Sequence, residues 1–425
     1  MPVYYASTDA NKLAEIRTDN ESANLLKMTI YPTAENPDKL PPKSPGGVST
    51  QWIVQHPHMP NIWITMTSFW NKRPAMLTIF QQTEDGLNKM TVEGSTGGRE
   101  AVHAVFAPTA ADEDKVTLAI AHHNDGFVSF FQFPTKGMPE SLMDQPTLTL
   151  ELPALNESKK NMLPANMKRH GLSVPSSHHV FYAPSGKWVM VVDPNQAVIF
   201  TYTCDPKTGL PSSENPTFAF ECHTDAPALG WFSGVVGKIA GLGCRPRRVA
   251  TSPNGKYLFV SYETRNVVQS YHLKDETGQI DPDNKGLLQE NSTLTPALTK
   301  QPFIGFAVQA TAEMMVVNNS LYCSNRGGIL VKGLGNSESS ICVMEIRDGG
   351  RLSSPKVVEC SGPVRHFCVY TKGDHEYLVA GTCSKTEGSL QTFRRPKAVE
   401  GAVFESVGQA EVGVDVFCVL PASIE

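Results

Sequence analysis

His178, Arg247, Glu263 and Arg326 are the residues of this chain whose types suit chemistry on a small acid. An arginine offers a planar fork of N–H donors that stays charged and matches the oxygens of a carboxylate or phosphate. A carboxylate beside it accepts or delivers a proton if its surroundings allow. An imidazole takes up a proton near neutral pH. These roles need no metal, and no metal or other cofactor is expected.

Spacing links these residues to others. His178 stands six residues before Pro184, Arg247 six before Pro253, and Arg365 six before Thr371, which takes the place of a proline. Asp193 and Glu263 follow their prolines by nine and ten residues, and Asn325-Arg326 holds the matching place in a shorter unit. Arg365, Asp193 and Asn325 are therefore candidates for binding a substrate. His122 and His123 belong to an earlier unit and are candidates for the same rim, His122 as a substrate contact. Structural readings stand beside these: an Arg247–Glu263 ion pair at a strand start and end, a turn-anchoring Asp193, and an Asn325 that orients its neighbour. His179 falls on the face opposite His178 by strand alternation.

The units that carry these residues repeat about every 45 to 70 positions. Pro184-Ser-Gly-Lys187 leads into Trp188–Val192, Pro253-Asn-Gly-Lys256 into Tyr257–Val260, Asn318–Ser320 into Leu321–Cys323, and Thr371–Gly373 into Tyr377–Val379. Weaker copies precede Ile62–Met66 and Val116–Ile120. Proline and glycine set the turns, and short apolar β-branched runs suit strands buried on both faces. A second strand follows most of them, as in Phe127–Phe131, Ala197–Tyr202, Val267–His272 and Ser340–Glu345. Amphipathic helices are nearly absent. This predicts an all-β chain folded as a seven-bladed β-propeller with four-stranded antiparallel blades, one domain over residues 1–425. Six units are clear, and Val3–Tyr5 with Val416–Leu420 would complete the seventh. Blades related by rotation bring equivalent positions to one end of the channel, so distant polar residues converge there.

The 425 residues are 40% hydrophobic and 19% charged, as in ordinary globular proteins, and the net charge of −5 gives no basic surplus for a nucleic-acid partner. No apolar run is long enough to span a membrane, and residues 1–20 lack a signal-peptide core. Nine cysteines without zinc spacing suggest buried free thiols and a cytoplasmic location. The stretch at 223–243, with Trp231 and Phe232, interrupts the repeat as an inserted loop, a lid or mere loop packing.

Four stretches carry a resemblance: Ser177–Asp193, Arg247–Glu263 with its Pro-Asn-Gly-Lys-Tyr-Leu-Phe-Val centre, Leu321–Gly327, and Val364–Phe367. They resemble the lactonase-type propeller family, which includes propeller 6-phosphogluconolactonases and 3-carboxy-cis,cis-muconate cyclases. By motif position, the resemblance implies that the site falls on His178, Arg247, Glu263 and Arg326. It implies a small anionic lactone, or its open-chain carboxylate, as substrate. Either hydrolysis or cycloisomerisation would fit, with His178 or Glu263 as the base. Arg248, the Gly381-Thr382 pair and His122-His123 depart from the family pattern. The competing reading is a non-catalytic propeller that serves as a ligand-binding or protein-interaction scaffold.

Overall fold

A computed structural model describes residues 2–8, 12–18, 25–32, 48–69, 73–108, 113–123, 125–137, 145–154, 175–222, 245–263, 265–274, 277–280, 287–294, 309–327, 339–383, 388–397, 402–413 and 415–422. The 223–243 stretch, with Trp231 and Phe232, lies outside them.

The strands run β1 (Val3–Thr8), β2 (Lys12–Thr18) and β3 (Leu25–Pro32), then β4 (Val48–Gln55), β5 (Ile62–Phe69), β6 (Met76–Thr83) and β7 (Gly86–Ser95). Next come β8 (Ala101–Phe106), β9 (Lys115–His122), β10 (Phe127–Pro134) and β11 (Leu148–Glu151), then β12 (His179–Tyr182), β13 (Trp188–Asp193), β14 (Val198–Thr203) and β15 (Phe218–Glu221). The following sheet holds β16 (Pro246–Thr251), β17 (Tyr257–Tyr262), β18 (Val267–Lys274) and β20 (Leu287–Ser292), with the short β19 (Gln279–Ile280) on the far end of β18. Last come β21 (Gln309–Val317), β22 (Ser320–Gly327), β23 (Ser339–Glu345) and β24 (Lys356–Cys360), then β25 (Val364–Lys372), β26 (His375–Thr382), β27 (Ser389–Pro396) and β28 (Glu405–Glu411). The final strand, β29 (Val416–Pro421), pairs antiparallel with β1, Ala6 opposite Val419, and becomes the innermost strand of the first sheet. The result is a seven-bladed propeller of four-stranded antiparallel blades. The two ends of the chain share a blade, as the sequence reading expected, and this pairing ties the first sheet to the last strand and closes the ring.

The second strand of each blade explains the repeated apolar runs. All eight residues of β5 and all six of β13 are buried, because each is covered on both faces by neighbouring blades. Outer strands such as β15 and β28 face solvent along most of their length instead. The core is consequently a set of inter-blade layers.

Turn glycines hold the register. Gly186 and Gly255 occupy the same place in two hairpins, each at φ 69°, where a side chain would strain the backbone. Gly278, at φ +65°, sits on the preceding blade's indole: a Cβ there would lie 2.6 Å from Trp188 Cδ2. Gly278→Ala is expected to destabilise the protein by about 1–3 kcal/mol through overpacking and a forbidden φ, read as a lowered urea midpoint at constant m-value.

Candidate active site

Inner strands β4, β8, β12, β16, β21, β25 and β29 line the channel. Six of them carry a bulge near their start, where two residues oppose one on the partner strand. A bulge re-aims side chains locally. In β16 it frees Arg247 from the ladder, and in β25 it frees Arg365. Phe417 of β29 is freed the same way. His178 occupies the equivalent place just before β12, with its N–H on the Val192 carbonyl (2.9 Å). These residues form the rim of one channel mouth.

The ends of second strands complete the rim. Glu263 follows β17 directly, and its backbone N–H donates to the Arg245 carbonyl (2.8 Å). Its carboxylate is the hub of the site. Arg247 Nη1 donates to Oε1 at 2.9 Å, Arg326 Nη2 donates to the same oxygen, and Arg245 Nε lies 3.8 Å from Oε2. Arg247 Nε also donates to the Ala312 carbonyl (3.1 Å), which fixes the plane of its fork. The three guanidinium groups and the carboxylate are each less than a fifth exposed. Three cations around one carboxylate leave two positive charges unmatched in this group. Arg326 Nε and His178 Nδ1 are buried without a hydrogen-bond partner among the described residues. Buried donors and charge in excess are costly unless an anion completes them.

Titration in the site follows from this arrangement. Burial works against ionised Glu263, but Arg247, Arg326 and Arg245 overcome it and hold its pKa down at about 2. Glu263 is thus a permanent carboxylate that organises arginines, and it carries no proton to exchange near neutrality. Burial, then the fields of Arg247, His123, Arg248 and Arg245, push the His178 pKa well below the usual imidazole value. His178 is therefore neutral. His123 lies next to it, ring centroids 5.3 Å apart, and burial with Arg245 and Arg247 lowers its pKa to about 4. The Ser176 hydroxyl donates to the His123 carbonyl (2.7 Å), while His123 Nδ1 meets the same Oγ at 2.6 Å. Ser176 has one proton, so Nδ1 is the donor in that contact and Nε2 keeps its lone pair.

The four residues singled out first in the sequence thus lie around one mouth. Arg365 is beside them, its guanidinium over the Phe417 ring at 4.5 Å and within the field of Arg326 and Glu263. Three other candidates lie apart from the rim. Asp193 is fully buried and spends its oxygens on the N–H groups of Ser176, Asn195 and Gln196 and on the Gln196 side chain, so it anchors a turn. Asn325 clamps two blades through Thr293 and Ser340. His122 packs against Phe127 with Nε2 on Ser129 Oγ (3.0 Å), inside its blade. Successive strand residues point to opposite faces, which is why Asn325 turns away where Arg326 turns in. Arg245 joins the rim without having been chosen from sequence, and of the His122-His123 pair it is His123 that reaches the rim. The available signal for Arg245 was its position two residues before Arg247, hence on the same side. Among the described residues no group of three or more His, Cys, Asp or Glu is arranged to hold a metal ion. Nor is any helix there long and apolar enough to cross a membrane.

Comparison with known proteins agrees with this architecture. The profile of the family described as lactonase, seven-bladed β-propeller, matches residues 238–419, which contain Arg245, Arg247, Glu263, Arg326 and Arg365. No curated protein sequence matches the chain. Among solved structures, the chain is similar to a Bacteroides uniformis protein provisionally assigned as a 6-phosphogluconolactonase (17% identity, 99% of each chain, TM-score 0.66). It is also similar to the periplasmic gluconolactonase of Pseudomonas aeruginosa (13% identity, 100% of this chain and 99% of that one, TM-score 0.67). A Lactobacillus plantarum protein superposes equally well (13% identity, TM-score 0.66). At such identities the likeness is one of fold. The Pseudomonas protein also corrects the cytoplasmic location expected from the cysteines: this fold works in the periplasm as well. The thiols do not decide the compartment, because the eight described cysteines are all buried, and burial keeps a thiol from solvent oxidants on either side of a membrane. The arrangement of strands and the profile match together make this chain a seven-bladed β-propeller related to the lactonase family.

Proposed function

We propose that the chain is an enzyme that opens a small anionic lactone at this mouth, by hydrolysis to the hydroxy acid. The observation that carries the reading is the buried triad of guanidinium groups around Glu263, next to two neutral imidazoles. Arg247, Arg326 and Arg245 bind the phosphate or carboxylate of the substrate and the oxyanion that develops. His178 is the base, with His123 beside it. Water oxygen bonds to the ring carbonyl carbon as the imidazole takes its proton, and the carbonyl oxygen becomes an oxyanion facing a guanidinium. The ring C–O bond then breaks, and the imidazolium returns its proton to the leaving alkoxide. Cycloisomerisation of a carboxymuconate asks for a group that arrives protonated. Neutral histidines and an ionised Glu263 suit hydrolysis better.

The test is turnover of 6-phosphogluconolactone, an uncharged aldonolactone and 3-carboxymuconate by the wild type, Arg247→Ala and Arg326→Ala. The phosphorylated lactone is expected to be preferred, and each substitution to lower kcat/KM by about 10²–10³-fold, the effect of losing one oxyanion donor. Turnover of the muconate alone would replace hydrolysis with cyclisation. Equal rates in wild type and both variants would remove the site. Stabilisation by citrate without turnover of any of the three would leave a ligand-binding scaffold.

A further inference from the structure

Beneath the rim lies a second layer that the proposed reaction does not use. It is made by the residue that follows the rim position on six of the seven inner strands: Trp52 of β4, His103 of β8, His179 of β12, Arg248 of β16, Glu313 of β21 and His366 of β25. All six are less than a tenth exposed. Their rings are in mutual contact, His103–His179 at 4.2 Å, Trp52–His103 at 4.4 Å and Trp52–His366 at 4.9 Å between centroids. Arg248 reaches across this layer. Its Nε and Nη2 donate to Glu313 Oε2, both at 3.0 Å, Nη1 donates to the His178 carbonyl at 3.3 Å, and the guanidinium lies 5.1 Å from the Trp52 ring centroid. Glu313 is itself fixed, Oε1 accepting the Met314 N–H at 3.0 Å.

One bulge therefore sends two consecutive arginines to two different carboxylates. Arg247 serves Glu263 at the rim, and Arg248 serves Glu313 below it. Of these two arginines, Arg248 is the one that hydrogen-bonds the backbone of the residue assigned as base. We infer that Arg248, held by Glu313, is a positioning residue that fixes the His178 segment from below and so sets where its imidazole stands at the mouth. This rests on the proposed site. A planar guanidinium can meet Glu313 with two of its nitrogens and the carbonyl with a third, whereas a lysine ammonium is a single point and cannot span both blades. The arginine also adds a fixed positive charge beneath the imidazole. The other groups facing His178 are His123, from the turn after β9, and Arg245 and Arg247, at the start of β16.

The test compares wild type, Arg248→Lys and the double variant Arg248→Gln/Glu313→Gln, which removes both charges and leaves neither one buried alone. Glu376→Gln is the control. It breaks a buried pair with Arg395 of the neighbouring strand in the same blade, where Tyr322 of the adjacent blade also donates to Glu376, at the end of β26 away from the mouth. Histidine NMR, with the His178 signal assigned by its loss in His178→Asn, follows the imidazole without reference to turnover. In the wild type, His178 is expected to stay neutral throughout the pH range in which the chain is folded. In the double variant it is expected to take up a proton within that range, and the acid limb of the kcat profile to move to higher pH. Arg248→Lys is expected to lower kcat about 10-fold or more, as misplacement of a reacting group does, with KM little changed. Glu376→Gln is expected to lower Tm and leave the His178 signal alone. An unchanged His178 titration in the double variant would overturn the inference. If the double variant does not fold, unchanged kcat in Arg248→Lys would overturn it just as well. A shifted His178 signal in a chain that turns over no lactone would retain the positioning role and discard the hydrolase reading.

Discussion

Glu263→Ala is expected to cost about 3–5 kcal/mol of stability, the usual consequence of removing one partner from a buried ion pair. The depressed pKa leads to a similar figure. A carboxyl held at about 2 in the fold, against 4.5 unperturbed, contributes about 3 kcal/mol that is fully present above pH 4.5 and is lost as pH falls toward 2. The agreement is reasonable because the group is only 16% exposed, so solvent screens little of the interaction. The loss should depend on the buffer. In the variant, Arg245, Arg247 and Arg326 face one another with no counter-charge, and a small polyanion can take the vacated position. Citrate or phosphate is therefore expected to raise the Tm of Glu263→Ala by more than it raises that of the wild type. Turnover should still be lost, because a diffusing anion does not hold the guanidinium forks in register. Calorimetry in anion-poor buffer and in citrate is the measurement. A variant as stable as the wild type without added anion would mean that Glu263 is not the hub of the site.

Acid is expected to unfold the protein before pH 4. Seven histidines are held as neutral rings, six of them buried and His123 partly so. Burial lowers His56, His122, His123 and His366 to about 4, and takes His103, His178 and His179 well below the ordinary value of 6.5. The unfolded chain protonates these rings near pH 6.5, and the folded one does not. Between pH 6.5 and 4 the unfolded state thus binds more protons, and stability falls as pH falls, by up to about 1.4 kcal/mol per pH unit for each ring. Several rings acting together exceed the 5–15 kcal/mol that holds an ordinary domain. Asp193 opposes the trend, since burial pushes its carboxyl up to about 6. It is one group against seven. Urea midpoints at pH 7.5, 6.0 and 5.0 should drop in sequence. A flat series across that range would show that the rings are charged in the fold or reached by water.

The arrangement of the channel mouth was partly legible before any coordinates. The recurring turn and apolar strand are local signals, written in consecutive residues, and rotation of one unit onto the next makes equivalent positions neighbours. That reasoning brought His178, Arg247, Glu263, Arg326 and Arg365 to one rim. It left Asp193 and Asn325 open between substrate contact and a structural role, because a polar residue at a strand end has two uses and register cannot tell a turn anchor from a rim group; the structure makes both anchors. It offered His122 and His123 together for the rim, and because one residue along a strand reverses the face, His123 is the one that reaches it.

What the sequence determined alone is the kind of fold: period, turn chemistry and doubly buried strands admit little besides a propeller. What the tertiary structure decided is charge state and direction. The bulges that turn Arg247 outward to Glu263 and Arg248 inward to Glu313 appear only once strands pair. Whether Glu263 exchanges protons or merely holds arginines depends on three cations from two blades meeting it in a poorly solvated place. Electrostatic energies are set by distance and burial, and neither quantity is carried by the order of residues along a chain.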